Sequence, residues 1–278
     1  MLTFSHPGKI GDLLYSLHYC IDCMHAAGEP CFAFNIQTGR SPIQINPQWK
    51  DSNALLTDKD ALFIKPLLET QTYIANVTTN SDRTGIDLAG YMCCSLNQMG
   101  GDIRDYYYQV DGNMYPREFW KPLISADRDT RYNPYRERII IGRTGRYDNL
   151  LMDWKALKEF ADRLVFLGTA DEYDDFRSNY FDLDGVVPGE ADSLLDCARM
   201  MVSCKGYISG QSGIYALAEM MKIPRILITP DWMKTQQRDN SDKIVAAPGP
   251  KNVHPAGGLC ATANRTDRLM SALITWLG

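Results

Sequence analysis

The sequence predicts an α/β protein of two doubly wound domains facing each other across a cleft. Three observations lead there. The chain opens on a short apolar run, Leu2-Thr3-Phe4, followed by a glycine turn and an apolar-periodic helix. Its second half alternates short apolar strands with helices of about ten residues, the pattern of a parallel sheet covered on both faces. Its 278 residues, 45% hydrophobic and 23% charged, suit a folded soluble chain and are enough for two domains of ordinary size.

In the first half, residues 2–5 read as a strand and 12–27 as a helix, stopped by Gly28 and Pro30. Residues 31–36 form a second strand, and 38–53 are polar and rich in turn formers. A helix fits 58–69, with Asp58 as its cap, and 73–79 is a β-rich run. Residues 100–134 carry tyrosines, prolines and charges with no clean period. The stretch 127–134 (DRDTRYNP) reads as the linker, dividing the chain into domains 1–133 and 134–278.

The second half is cleaner. Strands are expected at 138–142, 164–168, 185–188, 206–209 and 225–229. Helices are expected at 153–162, 171–180, 191–203 and 213–222. A last amphipathic helix, 266–277, follows a Gly/Pro-rich stretch and could pack back on the first domain.

Three segments carry candidate chemistry, and all follow strands. An open α/β sheet binds ligands at the carboxyl edge of its strands, where glycine turns bring N–H groups and positive helix ends together. Gly8-Lys9-Ile10-Gly11-Asp12 places a carboxylate in a helix's first turn, as a cap or as a base for a bound hydroxyl. Lys9, Gly11 and the nearby His6 would line the cleft. Gly142-Arg143-Thr144-Gly145-Arg146 offers two guanidinium groups, which bind phosphate oxygens bidentately; alone it would read as a solvated basic turn. Ser209-Gly210-Gln211-Ser212-Gly213 opens a helix, where Ser212 is either a phosphate donor or an ordinary cap.

Other candidates have ordinary explanations. Cys20 and Cys23 form a Cys-x-x-Cys on the first helix, but no second ligand pair follows at zinc-like spacing. Asp182-Leu183-Asp184 sits in a solvated turn, so no metal site is expected. Tyr106-Tyr107-Tyr108 reads as a strand or an aromatic platform, and aromatic residues on strands mostly serve packing.

Together, GKIGDLLYSL, GRTGRYDN and VVPGEADSLLDCARMMVSCKGYISGQSGIYALAEMMKIPRILI resemble the heptosyltransferase-like glycosyltransferases of family nine. The resemblance covers the first ~30 residues and most of the second domain. It implies two Rossmann-like domains in the GT-B arrangement, acceptor domain first and nucleotide-sugar donor domain second. It implies Asp12 as general base, and Arg143, Thr144 and Arg146 at the donor diphosphate, with Ser209, Gln211, Ser212 and Gly213 beside them. The family's later turn reads Asp-Thr-Gly with a His three residues on; here it reads Gln211-Ser212-Gly213, with Ala216 at the His place.

The expected activity is inverting, metal-independent transfer of a sugar from a nucleotide-activated donor to an acceptor hydroxyl. The donor is a co-substrate, and no cofactor is expected. The acceptor is a saccharide, a lipid-linked sugar, a protein or a modified DNA base. A hydrolase or epimerase on the same scaffold, or a nucleotide-sugar binding protein without turnover, are the rival readings. A net charge of -5 and a pI near 5.4 argue against non-specific attachment to nucleic acid. No apolar run approaches the ~20 residues that span a bilayer. With no signal peptide read at the start, the eight cysteines are expected as reduced thiols in a cytoplasmic protein.

Overall fold

The computed structural model describes residues 1–39, 56–93, 103–112, 122–143, 152–180, 184–210, 212–228, 260–263, 269–270 and 273–274. The chain divides into two compact units. The first is Met1–Glu118 with Leu123–Ser125 and Ser193–Leu195; the second holds the remainder.

In the first unit, β1 (Leu2–His6), β2 (Phe32–Gln37), β3 (Ile74–Asn80) and β4 (Ile86–Asp87) form a parallel sheet in the order β3-β2-β1-β4. Helices α1 (Ile10–Ala26) and α2 (Asp58–Glu69) make the crossovers from β1 to β2 and from β2 to β3. In β2, Phe32, Phe34 and Ile36 are buried on one face and Asn35 and Gln37 on the other. Burial on both faces is what a parallel sheet between helices requires. Helix α1 starts two residues earlier than the sequence predicts. Helix α2 is capped by Thr57, not Asp58: the Thr57 hydroxyl accepts from the Asp60 N–H, and Asp60 accepts from the Thr57 N–H.

Two elements of this unit were not foreseen. Strand β4 pairs with β1 on the side opposite β2, and Gly85, with φ +73°, lets the chain pass against the Thr3 carbonyl on its way in. A short 3-10 helix, Leu88–Cys93, follows it. Helix α3 (Ile103–Asp111) then packs on α1. It contains Tyr106, Tyr107 and Tyr108, so the expectation of a strand or exposed platform is corrected: all three are buried in a helix.

The second unit builds a parallel sheet in the order β10-β9-β8-β5-β6-β7. Its strands are β5 (Ile139–Gly142), β6 (Leu164–Phe166), β7 (Val187–Pro188), β8 (Gly206–Ser209), β9 (Arg225–Ile228) and β10 (Cys260–Ala263). Between them run α4 (Ala170–Asn179), α5 (Leu194–Ser203) and α6 (Gly213–Met220). The helix expected at 153–162 is a 3-10 helix, Trp154–Arg163, and the stretch read as a linker carries another, Thr130–Tyr135. Ile139, Ile141, Trp154, Phe166, Phe176 and Ile226 centre the core. Leu269 and Leu273, from the segment expected as the last helix, join it.

Both sheets have the Rossmann strand order: β3-β2-β1-β4 in the first, and β7-β6-β5-β8-β9-β10 in the second. The direction of winding reverses beside β1 and again beside β5. In open α/β sheets, ligands bind outside the carboxyl ends of the strands at such points.

Candidate functional site

The turn after β1 lies at the first reversal. His6 is fully buried, and burial pushes its imidazole down to about 3, so the ring is neutral. Its Nδ1 accepts from the Gly8 N–H at 3.0 Å. The proton therefore sits on Nε2, which donates to the Tyr107 hydroxyl at 2.8 Å. Tyr107 in turn donates to the Asp12 carbonyl at 2.8 Å. Both ring nitrogens are thus engaged in fixing the turn, and His6 supports it from beneath instead of lining an open surface.

Asp12 sits in the first turn of α1 but does not cap it. The N-cap is Lys9, which is exposed and makes no side-chain cap bond. The Asp12 carboxylate is half-buried and accepts from the Tyr91 hydroxyl, Oη to Oδ2, at 2.7 Å. Burial first, and the Asp12 charge second, push the Tyr91 hydroxyl well up; burial does the same to Tyr107. Both phenols stay protonated and can only be lost as donors if removed. Gly8 makes the arrangement possible: a Cβ there would lie 2.6 Å from both His6 Cε1 and Tyr91 Oη. Gly11 is half-buried within α1.

At the second reversal, Arg143 follows β5. Its guanidinium pairs with the Asp175 carboxylate of α4 and lies 5.6 Å from the centre of the Tyr180 ring. Gly142 admits the Tyr207 hydroxyl, which would stand 2.7 Å from a Cβ at that position. Ser209, at the end of β8, is fully buried, and its hydroxyl donates to the Gly210 carbonyl. Ser212 is the N-cap of α6, accepting from the Tyr215 N–H at 3.0 Å, and Gly213 is the first helical residue. Ser212 thus caps α6. Ala216 is fully buried. Thr144, Arg146 and Gln211 lie outside the described residues.

Cys20, Cys23, Cys31, Cys197 and Cys204 are free thiols. Among the described residues no cluster of His, Cys, Asp and Glu could hold a metal ion, and no helix is long and apolar enough to cross a membrane.

Sequence reasoning missed Tyr91 altogether and misplaced Tyr107. Tyr91 lies 79 residues from Asp12, and no local spacing ties the two. Tyr107 had a signal: at helical spacing, three successive tyrosines on an amphipathic helix send at least one toward the sheet.

Two solved structures resemble the chain over nearly their whole length. One is glycosyl transferase family 9 from Veillonella parvula DSM 2008, with a TM-score of 0.59, 10% identity, and coverage of 99% of this chain and 96% of that one. The other is E. coli ADP-heptose lps heptosyltransferase II, with a TM-score of 0.54, 10% identity, and coverage of 100% and 98%. The fold is that of the heptosyltransferase-like glycosyltransferases of family nine. No protein-family model and no curated protein matches the sequence.

Proposed function

We propose that this protein is an inverting glycosyltransferase of the GT-B arrangement that moves a sugar from a nucleoside-diphosphate donor to an acceptor hydroxyl. The observation that carries the reading is the Asp12 carboxylate, held by Tyr91 at the winding reversal beside β1. In this reading Asp12 takes the proton of the acceptor hydroxyl as its oxygen bonds to the anomeric carbon. The bond from that carbon to the diphosphate breaks, and the electron pair leaves with the nucleoside diphosphate. Displacement from the opposite face inverts the anomeric centre.

The leaving diphosphate needs positive charge opposite it. Arg143 supplies it, with Thr144 and Arg146 from the same loop, and Ser212 and Gly213 add the positive end of α6. The diphosphate would replace the Asp175 carboxylate against Arg143. Arginine and helix end do what a metal would otherwise do, so the reading calls for neither metal nor cofactor. The acceptor would be a saccharide, a lipid-linked sugar, a protein or a modified DNA base, and the protein would act in the cytoplasm.

The test is Asp12→Asn. Since Asp12 does not cap α1, the variant should fold. Transfer should fall about 100-fold or more while donor affinity stays nearly constant. Product mass spectrometry and calorimetry read the two; transfer at the parental rate would remove Asp12 from the chemistry. One observation favours a second reading, a nucleotide-sugar binder without turnover: Ala216 stands where the family carries a His, and it is buried. Donor binding with neither transfer nor hydrolysis across a panel of acceptors would select it.

A further inference from the structure

A carboxylate that acts as a base must be ionised and must point at its hydroxyl. The Asp side chain offers little help, because its terminal torsion is broad and nearly two-fold. We propose that Tyr91 is the positioning residue of this site, its hydroxyl holding the Asp12 carboxylate in one orientation and in its ionised form. The inference rests on the reading of Asp12 as base.

Four features carry it. The Tyr91 hydroxyl donates to Asp12 Oδ2 at 2.7 Å, within the range of a charge-assisted hydrogen bond. The Tyr91 ring is only 3% exposed. It packs in a three-ring cluster, against the His6 ring at 5.9 Å, stacked at 28°, and the Tyr107 ring at 4.8 Å, which limits the swing of its hydroxyl. Gly8 leaves the gap into which that hydroxyl reaches. Tyr91 also arrives from an element of its own, the 3-10 helix after β4, on the flank of β1 opposite β2.

The neighbouring groups do different work. Tyr107, from α3, donates to the backbone carbonyl of Asp12, and its buried phenol feels the Asp12 charge and touches the Tyr91 hydroxyl without being the donor to Oδ2. His6, from β1, stands beside Gly8 and the Tyr91 ring and is neutral. Lys9 precedes Asp12 on the same turn and is exposed. A donor to the carboxylate favours its charged form, so losing the Tyr91 hydroxyl should raise the pH at which Asp12 ionises.

Tyr91→Phe removes that hydroxyl and keeps the ring. The Asp12 side-chain carboxyl is titrated by carbon NMR in the intact protein without sugar, and transfer is followed against pH. The midpoint of Asp12 should rise in the variant, and the acid limb of kcat/KM should move up with it. At neutral pH kcat should fall about tenfold or more, with the donor KM unchanged. Tyr107→Phe removes the donor to the Asp12 backbone carbonyl and a neighbour of the Tyr91 hydroxyl; it should lower the melting temperature and move the Asp12 midpoint by clearly less than Tyr91→Phe does. Replacing Tyr91 by 3,5-difluorotyrosine keeps the shape and strengthens the donor, and should move the midpoint down; this arm decides the matter if Tyr91→Phe does not fold. An Asp12 midpoint that stays put in the Tyr91 variants, or moves as far in Tyr107→Phe, overturns the inference. Because the titration is read without substrate, a failure of Asp12 as base shows separately, in Asp12→Asn.

Discussion

His6 shows how much a single buried ring can commit a turn. Its Nδ1 needs a lone pair for the Gly8 N–H, and its Nε2–H serves Tyr107, so only the neutral ring fits. Burial puts its folded value near 3, below the ordinary 6.5. The unfolded chain therefore binds a proton in that window and the folded protein does not. The stability His6 contributes is complete above about pH 6.5 and is lost as pH falls toward 3, at up to about 1.4 kcal/mol per pH unit. Urea unfolding at roughly pH 7 and 5 should show a loss of about 2 kcal/mol that is smaller in His6→Gln. An equal slope in parent and variant would mean that His6 is protonated in the folded protein.

At the scale of elements, caps and glycines decide where helices begin. Thr57 and Asp60 exchange hydrogen bonds at the start of α2, and Thr169 and Glu172 repeat the arrangement at α4. Each pair satisfies two N–H groups that the helix itself leaves without partners. Thr57→Ala should cost about 1 kcal/mol, measured by denaturant unfolding at constant slope. Helix α1 has no such cap from Lys9, and its first turn is instead tied down by tyrosines from elsewhere in the unit. The start of α1 thus relies on contacts distant in sequence where the other two helices use a local cap.

Across the whole molecule, each unit has a core of its own under a sheet of the same strand order. The second core extends far along the chain, from Ile139 to Leu273, and Trp154 reports on it from within. Leu269→Ala removes a fully buried side chain from this core and should destabilise it by about 2–5 kcal/mol. The change should register in the fluorescence of Trp154 during urea unfolding. A cost near zero would mean that the end of the chain contributes nothing to this core.

Much of the architecture was legible because it is written in local patterns. The apolar period of α1, the triple isoleucine of β5 and the Gly–Ser turn before α6 each follow from neighbours within a few residues. So did the place of the Asp12 carboxylate in the first turn of α1, since a glycine turn opening a helix needs only adjacent residues to be recognised. The 3-10 form of residues 154–163, the helical state of the tyrosine run and the pairing of β4 were not legible. Packing chose among local options that the sequence leaves nearly equal in energy. What only the tertiary structure decided is which groups surround Asp12. Tyr91 and Tyr107 reach it from 79 and 95 residues away along the chain. Their meeting depends on β4 pairing with β1 and α3 packing on α1, and no spacing within a single element encodes contacts of that kind.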